Sequence, residues 1–398
     1  MAAGTGTAVS TSITSASYPG CSPGFICAVT FNVSSSSAIR VGDAITVSGN
    51  SAFFNQTWTV TSVSTGQLQS SSSATAAASG TGGTLTDETS PADSAIDIIY
   101  SFVDPVSLKN AGHVYGITNN LNPSRSQAFT YDQLNRISTA KTTSTTGTYC
   151  WGYQFNYDAW ANLNSQAGLS GYGSCTEYSS SATADGNNHL AGQSYDTSGN
   201  TLTDGNNFYT WDGESQMKTA AGVTYAYDGD GRRAAKVGSK LYWYGSGGEI
   251  LSETDASGNT QNDYIFFGGK RVADVPATGS ALFYAEDTLG SSRVIVQSNG
   301  TLCYDGDFTP FGGERSYTST CAQNYKFEGK ERDTETQKDD FGAREYSWRF
   351  GRWLSSDWSV VPAPVPYANL NNPQTLNLYG MVHDDPESFA DLNGHYLV

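Results

Sequence analysis

The chain has 398 residues and a formal net charge of −17, with 15% charged and 12% aromatic residues and 43 glycines. The aromatic content is enough for a buried core, whereas the low use of Lys and Glu disfavours coiled coils and helical repeats. The acidic balance disfavours binding to a nucleic-acid backbone, which needs clustered Lys and Arg. The sequence therefore predicts a mainly β protein without a nucleic-acid partner.

The first 87 residues are rich in Ser, Thr, Ala and Gly and carry few charges. Residues 44–48 and 57–63 alternate apolar and polar side chains, which is typical of strands with one buried face. A turn at Gly49-Asn50 lies between them. We expect a small all-β module followed by a flexible tract from Ser70 to Gly83.

An aromatic residue followed by Asp recurs before a turn from about Asp97 onward. The pairs are Tyr131-Asp132, Tyr157-Asp158, Tyr195-Asp196, Trp211-Asp212 and Tyr227-Asp228. The last three begin 16 residues apart, which fits two short strands and a tight turn. The repeat therefore predicts a coiled series of antiparallel β-hairpins, in which each hairpin buries its face against the next.

The residue types of the repeat suggest its chemistry. Each Asp is expected to accept a backbone N–H two residues on, and Gly or Asn to occupy the positive-φ position that follows. Each aromatic is expected to stack on its counterpart in the neighbouring hairpin. Calcium loops are the alternative for the Asp clusters at 228–231 and 255–259, but EF-hand spacing is absent. We favour turn chemistry and predict no metal and no cofactor.

The distribution of charged and apolar residues gives three further indications. Arg232-Arg233 with Lys236 and Lys240 is the nearest approach to a basic cluster, and we interpret it as a solvated strand edge. No run of about 18 apolar residues exists, so no membrane span is predicted. Residues 1–20 lack the basic and apolar segments of a signal peptide, and we expect the chain to start inside a longer protein.

Six cysteines fall in three local pairs and form no zinc-site spacing with the four histidines. The pairs are Cys21 and Cys27, Cys150 and Cys175, and Cys303 and Cys321. An even number of closely spaced cysteines indicates disulfides and an oxidising compartment, and free buried thiols are the alternative. The spacing alone leaves the connectivity open.

The aromatic–aspartate pairs resemble the YD repeats of Rhs proteins, bacterial polymorphic toxins and toxin-complex C subunits. The C-terminal part resembles the Rhs repeat-associated core domain in six ordered segments. These are residues 286–293, 307–314, 327–333, 341–346, 349–357 and 377–394. The resemblance covers about residues 97–395. After the all-β module over 1–87, it implies a YD-repeat shell over 88–335 and the core terminus over 336–398.

The resemblance implies a function as well as a fold. In the family a hollow shell of hairpins encloses a C-terminal effector and works with secretion machinery, so a secreted or cell-surface protein is expected. The family also cleaves itself just after its terminal motif, by means of core aspartates. Carried over, these aspartates are Asp357 and Asp391, and scission falls at Gly394–His395 or at the following bond.

Two carboxyls held close together cannot both ionise cheaply, so one pKa rises and the pair supplies an acid and a base. Arg352 is expected to orient one of the two aspartates or to balance its charge. The alternative is that both aspartates only cap turns. The chain departs from the family pattern at Trp358 and Leu392, which replace prolines, and at His395, which replaces a large apolar residue.

Only three residues follow His395, so we expect this chain to carry no effector. A second hypothesis is a surface adhesion or carbohydrate-binding protein, because tyrosine-lined sheets suit stacking on a glycan. A conventional hydrolase is disfavoured, since G-x-S-x-G, H-E-x-x-H and P-loop motifs are absent.

Overall fold

The computed structural model describes residues 9–23, 25–36, 39, 43–87, 95–357 and 373–395. The chain forms two compact units, Met1–Asp97 and Ile98–Val398. The predicted mainly β fold is confirmed, and the strands pair antiparallel. The observed boundary lies ten residues beyond position 87, and the further division at 335/336 stays a proposal.

The first unit is an eight-stranded sheet. Its strands are β1 (Val9–Tyr18), β2 (Cys27–Val33), β3 (Ala44–Ser48), β4 (Thr57–Thr59), β5 (Ser62–Ser64), β6 (Gln67–Ser72), β7 (Ala78–Gly80) and β8 (Thr84–Asp87). Their order is β4-β3-β8-β1-β2-β6-β5, and β7 pairs with β1. Phe31, Phe54 and Trp58 pack edge to face in its core.

Two expectations for this unit need correction. The predicted strand 57–63 is two strands, because the chain changes partner within it. Val60 donates its N–H to Asp43, whereas Thr61 donates to Gln69 on the other side. The predicted flexible tract 70–83 contains the end of β6 and all of β7, and the buried Ser70 hydroxyl donates to the Thr59 carbonyl at 2.6 Å. A Ser-rich composition does not prevent these segments from pairing as strands.

The described residues of the second unit form four sheets. A seven-stranded and a two-stranded sheet come first: β9 (Ile98–Ser101), β10 (Gly116–Asn119), β11 (Gln127–Tyr131), β12 (Ile137–Thr142), β13 (Gly152–Tyr157), β14 (Leu163–Gly168) and β15 (Ser180–Ser181), then β16 (Ser194–Tyr195) and β17 (Thr201–Thr203).

The twelve-stranded sheet follows: β18 (Tyr209–Trp211), β19 (Met217–Ala220), β20 (Val223–Tyr227), β21 (Arg233–Lys236), β22 (Lys240–Tyr244), β23 (Ile250–Asp255), β24 (Thr260–Phe267), β25 (Lys270–Pro276), β26 (Leu282–Glu286), β27 (Ser292–Gln297), β28 (Leu302–Phe308) and β29 (Glu314–Ser319). In the seven- and twelve-stranded sheets each strand pairs with its neighbours in sequence, so the chain forms successive hairpins.

The last sheet and four short 3₁₀ turns complete the described part of the unit. The sheet consists of β30 (Glu331–Arg332), β31 (Asp339–Asp340), β32 (Glu345–Ser347) and β33 (Arg352–Trp353). The turns are Pro123–Arg125, Phe327–Gly329, Pro373–Leu376 and Val382–Asp384. Phe327, Phe341, Tyr346, Trp353 and Met381 form the core around them.

The repeat turns have the predicted hydrogen bonds. In each of the five units the aspartate Oδ1 accepts the N–H of the residue two positions on and also that of the residue four positions on, at 2.8–3.1 Å. The position between these two has positive φ: Asn135, Ala161, Gly199, Ser215 and Gly231. Ala161 and Ser215 show that the turn does not require Gly or Asn there.

The repeat aromatics do not make the predicted stacks on one another. Instead, in three of the five units the polar atom of the ring donates to a backbone carbonyl five residues after the Asp of the preceding unit, whereas Tyr131 donates to the Val114 carbonyl and Tyr195 to the Gln193 side chain. Trp211 donates in this way to Thr201, Tyr157 to Ile137 and Tyr227 to Met217, at 2.7–2.8 Å. A half-buried phenol or indole must satisfy its polar atom, and the carbonyl of the previous hairpin does so.

Arg233 and Lys236 of the basic cluster are buried and Lys240 is half-buried, so the interpretation of the cluster as a solvated strand edge is wrong for three of its four residues. Arg233 is 1% exposed. Its guanidinium contacts Asp333 at 2.7 Å, Asp340 at 3.1 Å and Glu345. Lys236 and Lys240 contact Glu331 at 3.6 and 3.1 Å. The acidic partners lie about 100 residues away in the chain, where local sequence cannot show them.

Candidate functional site

Residues 391–395 form a tight turn around the carboxylate of Asp391. Its Oδ1 accepts the N–H groups of Asn393 at 3.2 Å, Gly394 at 2.7 Å and His395 at 3.1 Å. Gly394 has a φ of +85°, and a Cβ there would lie 3.0 Å from the backbone nitrogen of Arg344. The glycine therefore permits both the turn and its close approach to the chain around Arg344.

Arg344 joins the parts of the site. It lies in the connection from β31 to β32, and its guanidinium packs 4.2 Å from the Trp353 ring centre. Its Nε donates to the carbonyl oxygen of Gly394, and its Nη2 lies 3.2 Å from Asp357 Oδ2 and 3.7 Å from Asp391 Oδ2. One buried cation thus contacts both predicted aspartates and the peptide bond predicted to be cut.

Asp357 approaches the same bond from its carboxyl-terminal side. Its backbone N–H donates to Leu378, which ties the residues after β33 to the chain before Gly380. Its Oδ1 lies 2.7 Å from Nδ1 of His395. Asp357 and Asp391, 34 positions apart in the sequence, are therefore brought to one site by Arg344 and His395.

Burial shifts the pKa of three groups in and beside the turn. The pKa of Asp391 is raised because desolvation outweighs the opposing effects of Arg344 and the turn N–H groups. The pKa of Glu328, which accepts the Asp391 N–H at 2.8 Å, is raised well above its ordinary value, mainly by burial. Burial lowers the pKa of Lys330, whose Nζ lies 2.6 Å from the Leu392 carbonyl oxygen.

Arg352 does not have the position expected of it. Its Nη2 donates to the Asn188 carbonyl at 2.8 Å, and its guanidinium packs 4.4 Å from the Tyr379 ring centre. Arg344 lies near the two aspartates instead, because it belongs to the turn before β32, which approaches Asp391. Arg344 lies within a segment that resembles the Rhs core, but the sequence shows several arginines there and does not single one out.

A cavity of about 1510 Å³ adjoins the turn. Leu392, Asn393 and His395 line it together with Glu328 and Lys330. Several hairpin turns also line it, with glycines such as Gly247-Gly248 and charged residues such as Arg232 and Lys270. The bond after Gly394 thus lies beside open space.

All three local cysteine pairs are disulfide-bonded: Cys21–Cys27, Cys150–Cys175 and Cys303–Cys321.

Among the described residues, no cluster of three or more His, Cys, Asp or Glu has the arrangement of a metal site. In the same part of the chain, no helix has the length and apolarity needed to cross a bilayer.

This chain is similar in sequence to some known proteins and in fold to others. The tRNA3(Ser)-specific nuclease WapA of Bacillus spizizenii is 29% identical over 219 residues, and the tRNA nuclease WapA of Bacillus subtilis is 30% identical over the same length. The Tc holotoxin pore of Photorhabdus luminescens, which contains TccC3, matches 75% of this chain with a TM-score of 0.56 at 19% identity. The resemblance to Rhs and YD-repeat proteins is confirmed.

This chain spans only a small part of the length of these proteins. The matches cover 51% of it but 9% of each WapA, and 17% of the solved chain that contains TccC3. A crystal structure of TcdB2 with TccC3 gives the same picture, with 75% of this chain matched at a TM-score of 0.54. No family model matches the chain.

Proposed function

We propose that this chain is the closing part of an Rhs-type shell and that it cleaves its own backbone between Gly394 and His395. The observation that carries the proposal is the set of contacts on this one peptide bond. Arg344 donates to its carbonyl oxygen, and Asp391 lies 3.1 Å from its nitrogen. Asp357 holds the side chain of the residue that would leave.

The arrangement supports hydrolysis by two carboxyls. Water attacks the Gly394 carbonyl carbon, and negative charge develops on the oxygen to which Arg344 already donates. The Asp357 carboxylate takes a proton from the water, and the Asp391 carboxyl gives one to the nitrogen of His395 as the C–N bond breaks. The products are a Gly394 carboxyl terminus and a free amino group on His395.

The pKa of Asp391 predicts how the rate of cleavage depends on pH. The carboxyl must be protonated to act as an acid, and burial raises its pKa above the ordinary value for Asp. We therefore expect cleavage to slow as the pH rises through that raised pKa.

The wider role follows from the relatives. Two of them are named as tRNA nucleases and others as components of a Tc toxin. We extend part of the family role to this chain as a proposal: it is a fragment of a shell of the kind that encloses an effector in the family, it reaches the outside of a bacterial cell through secretion machinery, and the cut separates it from the residues after Gly394. The proposal assigns no effector to this chain. The three disulfides favour an oxidising compartment.

Intact mass of the purified chain tests the cut. The wild type should lose the four residues from His395 to Val398, and Asp391→Asn should retain them. Asp255→Asn is the matched control, because Asp255 accepts the N–H groups of Ser257 and Asn259 in the same kind of turn outside the site. Cleavage of Asp391→Asn at the wild-type rate would contradict the assignment.

A further inference from the structure

Glu328 lies next to the cleavage turn in a backbone conformation that L residues rarely adopt. It is the central residue of the turn Phe327–Gly329, with φ 49° and ψ 29°. A left-handed residue other than glycine or asparagine persists where its surroundings fix it, and such residues concentrate at functional sites.

Two hydrogen bonds join the turn around Glu328 to residues at the start of β27 and just before it. The backbone N–H of Glu328 donates to the buried Ser291 hydroxyl at 3.0 Å, and Ser292 donates its N–H to the Lys326 carbonyl at 3.1 Å. Gly329 permits this approach, since a Cβ there would lie 3.0 Å from the Gly290 carbonyl oxygen. The backbone of Glu328 is therefore held on the side away from Asp391.

The Glu328 side chain reaches the cleavage turn. Its Oε2 accepts the N–H of Asp391 at 2.8 Å, while its buried Oε1 has no hydrogen-bond partner among the described residues. Glu328 thus holds the first residue of the turn, and Arg344 holds the carbonyl of Gly394 at the other end. The two contacts together fix the orientation of the Gly394–His395 bond.

The charge state of Glu328 suits this place. Burial raises its pKa well above the ordinary value. The hydrogen bond from the Asp391 N–H and the charge of Lys330 lower the pKa, whereas the charges of Asp391 and Asp287 raise it further. A neutral carboxyl can accept an N–H without adding a negative charge beside Asp391. The Glu328 carboxyl then does not compete with Asp391 for the charge of Arg344.

We infer that Glu328 is a positioning residue for the proposed self-cleavage: its carboxyl oxygen clamps the Asp391 backbone and so presents the Gly394–His395 bond to Arg344. The inference rests on the proposed function for its purpose, but the clamp itself can be measured separately. A misplacement of about 1 Å costs on the order of 100-fold in rate in a positioned reaction.

Two substitutions of similar length separate the clamp from other roles. Glu328→Gln keeps an oxygen that accepts the Asp391 N–H, and Glu328→Met fills the space without an acceptor. We expect Glu328→Met to speed hydrogen exchange of the Asp391 amide about tenfold or more and to slow cleavage by roughly 10- to 100-fold. Glu328→Gln should stay within about threefold of wild type in both.

Glu253 provides the matched control, because it is equally buried but accepts from the Tyr325 and Tyr264 hydroxyls at 2.7 and 3.1 Å. Glu253→Met should leave exchange at Asp391 unchanged. The inference is overturned if Glu328→Met exchanges like wild type, if Glu328→Gln behaves like Glu328→Met, or if Glu253→Met opens the turn equally. The Asp391 amide precedes the cut, so exchange tests the clamp even in a protein that fails to cleave.

Discussion

Replacing Arg233 tests how the last sheet is attached to the long sheet. Arg233 on β21 is almost fully buried and its guanidinium contacts Asp333, Asp340 and Glu345, all in or beside β30–β32. Arg233→Met removes the cation and leaves several carboxyls buried together. Removing one partner of a buried ion pair costs about 3–5 kcal/mol, so the unfolding free energy should fall by that amount.

The adjacent arginine offers the matched control. Arg232 is about a third exposed, and its partners Asp228 and Asp230 lie in the same hairpin turn. Arg232→Met should cost about 0–1 kcal/mol, as is usual for surface ion pairs. Urea unfolding, which does not screen charges, measures both changes. Equal losses for the two variants, or a loss below about 1 kcal/mol for Arg233→Met, would refute the view that this buried network joins the two sheets.

Three further predictions concern other parts of the molecule. Burial raises the pKa of Glu286 from 4.5 to about 7, so the folded state holds a proton that the unfolded state has lost, and stability falls as pH rises through this window. Glu286→Gln should remove roughly 2–3 kcal/mol of that decline between pH 4.5 and 7 in urea unfolding, and an unchanged pH slope would contradict this. Replacing Cys303 and Cys321 by Ser opens a loop of 18 residues and should cost about 3 kcal/mol, against about 2 kcal/mol for the 6-residue Cys21–Cys27 loop; a larger loss for the shorter loop would contradict the loop-entropy argument. Arg344→Lys keeps the charge but loses the planar guanidinium that donates to the Gly394 carbonyl oxygen. Cleavage, monitored by mass spectrometry, should therefore slow about 100- to 1000-fold, and an unchanged rate would exclude a role of Arg344 in stabilising the oxyanion.

Local chemistry of the repeats could be predicted from the sequence. The Asx turns at Asp132, Asp158, Asp196, Asp212 and Asp228 depend on contacts within four residues, and the sequence contains all the groups involved. The hairpin order follows from the same local turns, since each joins two neighbouring strands. The direction of the repeat aromatics could not be predicted, because the acceptor for Tyr157 lies in the previous hairpin and becomes visible only once the register of the strands is known.

The site was predictable in part. The resemblance to the Rhs core pointed to Asp357, Asp391 and the bond near Gly394, and the structure brings these residues together. It did not distinguish Arg344 from Arg352, because both lie in core-like segments and only the path of the chain between β31 and β33 decides which one reaches Asp391. Glu328 was missed because its contact with Asp391 spans 63 positions.

The identity of the new C-terminal residue tests the central claim most directly. Digestion of the purified wild-type chain and mass analysis of its last peptide should show a terminus at Gly394, with His395 at the start of the released fragment. The Asp391→Asn chain should end at Val398. A wild-type chain that keeps Val398, or one that ends at His395, would contradict the account of Arg344 and the two aspartates acting on the Gly394–His395 bond.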